Sequence, residues 1–66
     1  MYCILTKVDV NGKPVSLYLL EMHSTFVSWT FEKEHAAKFS SRALALDWVA
    51  VAFKMSCVEC IVQSIS

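Results

Sequence analysis

The stretch Ile4-Leu5-Thr6-Lys7-Val8-Asp9-Val10-Asn11-Gly12-Lys13-Pro14-Val15-Ser16-Leu17-Tyr18-Leu19-Leu20 decides the fold class. It holds the only glycine and the only proline of the chain, two positions apart, with a β-rich run on either flank. Asn-Gly supplies the positive φ angles of a type I′ turn, which matches the twist of two antiparallel strands. A two-residue loop at Asn11 and Gly12 sets Val10 opposite Lys13, Val8 opposite Val15, Thr6 opposite Leu17 and Ile4 opposite Leu19. Side chains alternate across a strand. This register therefore gathers Ile4, Val8, Val15, Leu17 and Leu19 on one face, and turn and pattern agree.

The other face of the same hairpin is solvated near the turn, with Lys7, Asp9 and Ser16. Farther along it carries Cys3, Leu5, Tyr18 and Leu20, side chains that need cover. A third strand is expected from about Thr25 to Phe31, after a turn near His23-Ser24. Glu32 to Lys38 reads as a polar connection with room for one helical turn. Ser40 or Ser41 can then cap a helix.

That helix, from Ser41 to about Met55, has no glycine or proline and places Lys54 near its C-terminus, where the dipole favours a cation. At about 100° per residue three apolar rows emerge. Ala45 and Ala52 form a narrow centre. Leu44, Trp48, Val51 and Met55 lie to one side; Leu46, Val49 and Phe53 lie to the other. Ala43, Asp47, Ala50 and Lys54 make the only clearly wettable strip. An apolar arc this wide exceeds what contact with one sheet requires. Val58 to Ile65 alternates and is rich in Val and Ile, which points to a fourth strand. The expected architecture is α+β: an antiparallel-led sheet in the order β-β-β-α-β, with one helix packed across one face.

Size and composition bound the rest. With 66 residues there is room for one compact domain spanning 1–66. So short a chain buries only about 60% of the surface its unfolded form exposes. Yet 56% of its residues are apolar, which points to a rich core or a subunit interface. Six basic residues balance six acidic ones. This argues against a nucleic-acid backbone as partner and equally against an acidic DNA mimic. Met1 to Lys7 lacks the charged and apolar regions of a signal peptide. Asp47 and Lys54 cut the most apolar stretch far short of the ~20 residues that span a bilayer. Three cysteines, an odd number, point to free thiols in a reducing compartment, the cytoplasm.

The candidate chemistry is sparse. Cys57-Val58-Glu59-Cys60 is a C-x-x-C, but it follows a helix C-terminus, where the dipole opposes a thiolate. Cys57 and Cys60 could join Cys3 and either His23 or His35 as four zinc ligands. The alternative is that the thiols are buried as small hydrophobes. His23 and His35 fall in a turn and a connection, where a solvated histidine is the plain reading and a proton-transfer role the sharper one. No acid pair, nucleophile elbow or glycine-rich phosphate loop is present. Trp29, Trp48, Tyr18 and Phe26 could stack on single-stranded bases, but Lys7, Lys13, Lys33, Lys38, Arg42 and Lys54 form no groove beside them. No cofactor is implied.

The stretch Trp29-Thr30-Phe31-Glu32, continued by Ala37-x-Phe39-x-Ser41-x-x-x-Ala45, resembles a pattern of small bacteriophage and prophage accessory proteins, in which a curled sheet precedes the only helix. The resemblance implies that Phe39 and Ala45 pack onto the sheet, and that the protein acts by binding and regulating or inhibiting a host protein. The reading reached from the residues is a non-enzymatic interaction module that forms a homodimer, engages a protein partner, or both. Its expected contact surface is Cys3, Leu5, Tyr18 and Leu20 with the helix residues Leu46 and Phe53. The alternatives are a zinc-stabilised module on Cys3, Cys57, Cys60 and His23, and a single-strand nucleic-acid binder.

Overall fold

The computed structural model describes residues 1–65. Strand β1 (Tyr2–Val10) and strand β2 (Lys13–Met22) form the hairpin, β3 is Val27–Thr30, a 3-10 turn covers Lys33–His35, α1 is Arg42–Ser56 and β4 is Ile61–Ser64. The four strands make one antiparallel sheet in the order β3-β2-β1-β4, with α1 on one face. The fold is α+β.

The hairpin follows from its turn. Asn11 (φ 52°) and Gly12 (φ 80°) both take the left-handed region that a type I′ turn demands. The ladder pairs Val10 with Lys13, Val8 with Val15 and Thr6 with Leu17, and ends at Leu5–Tyr18, one pair short of Ile4–Leu19. Here another segment comes in. The Leu19 carbonyl accepts from the Ala37 amide, and Tyr2 and Phe39 bridge through two backbone bonds. Residues 37–39 thus lie alongside the start of β1, where β2 would otherwise continue. A register shift between Leu19 and Glu21 bends β2 at this point. Pro14 sits where its missing amide is harmless. Its partner across the hairpin is Asp9, at a non-hydrogen-bonded position, and β3 begins only farther along β2.

Two strands are shorter than their apolar pattern. Thr25, Phe26 and Phe31 lie outside β3. The His23 amide donates to the Phe26 carbonyl, closing a turn in which the two rings stack 4.2 Å apart. Beyond β3, the Thr30 hydroxyl accepts from the Glu32 amide and turns the chain away. Val58 to Cys60 lie outside β4, because the chain must first return from the helix. The Thr6 hydroxyl, buried on the helix side of β1, donates to the Glu59 carbonyl at 2.8 Å and anchors that return.

Helix α1 begins at Ser41, whose hydroxyl accepts from the Leu44 amide at 3.1 Å. It ends at Cys57, a non-glycine residue in the left-handed region (φ 56°), whose amide donates to the Phe53 carbonyl. The core is small: Ile4, Leu19, Phe39, Ala45 and Ala52 are buried together. Trp48, Val49, Trp29, Val62 and Tyr2 are partly buried against them. Phe39 meets Trp48 edge-on, with centroids 5.0 Å apart.

Candidate functional site

The helix touches the sheet through its narrow alanine row, and this decides what is left uncovered. Ala45 and Ala52 are fully buried, so α1 lies close over β1, and its larger apolar residues project to both sides. Leu44, Leu46, Val51 and Phe53 are each 41–49% exposed. Leu44 and Val51 belong to one side of the helix, Leu46 and Phe53 to the other. On the second side Val49 and Phe53 line a groove of about 530 Å³ whose far wall is Glu59 and Cys60, the residues leading into β4. Ile61, which pairs with Leu5 on the sheet face away from the helix, is 57% exposed on the edge strand.

Only part of the contact surface expected on the far sheet face is available. Cys3 and Leu5 are 0% and 2% exposed, which removes them from it. They sit on an inner strand, Leu5 between Tyr18 and Ile61 and Cys3 beside Gln63. Burial pushes the Cys3 thiol above its ordinary value, against an opposing pull from the Lys33 and Lys38 ammonium groups. Those lysines belong to the segment that ends beside Tyr2. The alternation of β1 gave no warning of this burial, because it depends on the placement of segments distant along the chain. Tyr18 and Leu20 remain half-buried. Leu46 and Phe53 stand open, as the helical rows imply.

The four zinc candidates are not brought together. Cys3 is buried in β1, Cys57 is exposed at the helix cap, and Cys60 is half-buried with its thiol 3.6 Å from the Val58 carbonyl. Among the described residues no three His, Cys, Asp or Glu side chains are placed to hold a metal ion. His23 lies 3.3 Å from Glu21 and 3.1 Å from the Ser28 hydroxyl, and His35 pairs with Glu32 at 3.2 Å. All three cysteines are free thiols.

The aromatic residues form no continuous platform. Trp29 and Trp48 pack against the core, while Phe26 is occupied with His23. Among the described residues no helix is long and apolar enough to cross a membrane. The edge strands are β3 and β4, and each leaves one row of backbone groups without a strand partner. The structure is thin, 34 × 29 × 16 Å, one sheet and one helix deep. The chain matches no family model, no curated protein and no solved structure.

Proposed function

We propose that this chain is a non-enzymatic interaction module, which covers its open apolar surface in a homodimer or against a protein partner. One observation carries the reading: both sides of the only α-helix among the described residues expose large apolar residues, Leu44 and Val51 on one and Leu46 and Phe53 on the other. Each of these side chains is about half exposed and so roughly 1 kcal/mol short of full burial, a cost that association removes. The His23 ring nitrogen is shared between the Ser28 hydroxyl at 3.1 Å and a Glu21 carboxylate oxygen at 3.3 Å, and His35 pairs with Glu32. The resemblance to small phage accessory proteins supports the concrete form in which the partner is a host protein under regulation. Three free thiols fit a reducing, cytoplasmic setting.

Sedimentation at micromolar concentration, run beside binding of an apolar fluorescent dye, tests the reading. The expected result is association, or dye binding that the double substitution Leu46→Lys and Phe53→Lys abolishes. A monomer that binds no dye overturns it.

A further inference from the structure

The backbone of β4 is turned so that part of it serves the sheet and part does not. Ile65 donates to the Met1 carbonyl, and Cys3–Gln63 and Leu5–Ile61 are the following pairs of the same kind. Antiparallel ladders alternate, so Val62 and Ser64 aim their amides and carbonyls away from β1, along the open edge. That edge carries no charge and no proline from Ile61 to Ile65, devices by which solitary edges are blunted. Its sequence, Ile61-Val62-Gln63-Ser64-Ile65, also reads nearly the same in both directions about Gln63.

From this symmetry we infer that the edge of β4 pairs with the β4 of a second copy of this chain, antiparallel and two-fold about Gln63, joining two sheets into one of eight strands. The inference rests on the interaction reading above and names the occupant. In this register Val62 and Ser64 of each copy exchange backbone bonds with Ser64 and Val62 of the other. Ile61 then faces Ile65 of the other copy, covering the most exposed aliphatic side chain of the strand. The two Gln63 side chains meet on the axis, where each amide can both donate and accept. A shift of the axis to Val62 sets Ile61 against Gln63 and loses this match. An isologous contact closes on itself, so the assembly stops at two.

A ladder of four residues is too small alone, since a stable interface clears about 1,000 Å² in total. The Phe53 side of α1 supplies the remainder, because its groove against Glu59 and Cys60 runs into the same edge. The opposite edge, Val27-Ser28-Trp29-Thr30, has no such symmetry.

Sedimentation equilibrium of the full chain is the test, with two substitutions that spare the monomer. Ser64→Pro removes an outward amide and leaves Cys3–Gln63 and Leu5–Ile61 intact. Gln63→Glu alters an exposed side chain and places two carboxylates on the axis. The wild type is expected at twice the 7.5 kDa chain mass. Each variant weakens the dimer by about tenfold or more at neutral pH, with the circular dichroism spectrum unchanged. The Gln63→Glu dimer recovers once acid neutralises its carboxylates. A wild-type dimer that both variants leave unchanged overturns edge pairing. A wild-type monomer whose helix sides still bind dye overturns the dimer and leaves the interaction reading standing; one that binds no dye overturns both.

Discussion

The backbones of Tyr2 and Phe39 exchange two hydrogen bonds, one in each direction and each 2.8 Å long. They tie the first strand to the segment that leads into the helix. The Phe39 side chain is at the same time buried against Trp48. The contact therefore joins sheet and helix at one residue.

Phe39→Ala should cost about 3–5 kcal/mol, the range for truncating a buried aromatic. Urea unfolding followed by tryptophan fluorescence measures it, since Trp48 reports directly on the site. A loss below about 1 kcal/mol would show that the bridge, rather than the ring, holds the segment in place.

The close approach of α1 rests on Ala45 and Ala52. Ala52→Leu forces extra methyl groups between helix and sheet and should destabilise by about 1–3 kcal/mol. Val51→Ala, one position away on an exposed side, should change monomer stability by no more than about 0.5 kcal/mol. Thermal melts of the two variants give the comparison, and equal losses would contradict the alanine seam.

Cys57 holds a left-handed conformation that a β-carbon disfavours by about 1–2 kcal/mol. Glycine is the ordinary occupant of this position after a helix. Cys57→Gly should raise stability by up to about 1 kcal/mol and leave metal content and fold unaltered. A lower melting temperature would mean that the exposed thiol has a role its contacts do not reveal.

Burial raises the thiol pKa of Cys3 above the ordinary 9.0, and that of Cys60 likewise. In the unfolded chain both thiols ionise near the ordinary value; in the folded chain they stay protonated to higher pH. Their contribution is fully present below about pH 9 and is lost as pH rises beyond it. Denaturant midpoints should fall above pH 9 in the wild type and fall less in Cys3→Ala, each compared with its own midpoint at neutral pH. An identical alkaline slope in the two would exclude Cys3 as the source.

The hairpin was legible from its turn as far as Leu5 and Tyr18, because its information is local. Asn11 and Gly12 prescribe the turn, the turn prescribes the register, and the register agrees with the apolar alternation. Ser41 as helix cap and the alanine row at 45 and 52 were legible for a similar reason, being set by spacing along one helix. The strand ends at Phe26, Phe31 and Val58 were not. Propensity favours extending them, but a ring stack on His23, a turn at Thr30 and the Thr6–Glu59 bond break the pattern.

For the candidate surface the division is the same. Leu46 and Phe53 could be named in advance, since helical periodicity places them off the alanine seam whatever the sheet does. Cys3 and Leu5 could not be judged, because their burial depends on β1 lying inside the sheet between β2 and β4. By itself the sequence determined the turn, the hairpin register, the helix and its seam, all of which depend on short-range geometry. Only the tertiary structure decided that β4 takes the open edge and which apolar side chains stay in water. Those outcomes depend on how residues distant along the chain share one small core.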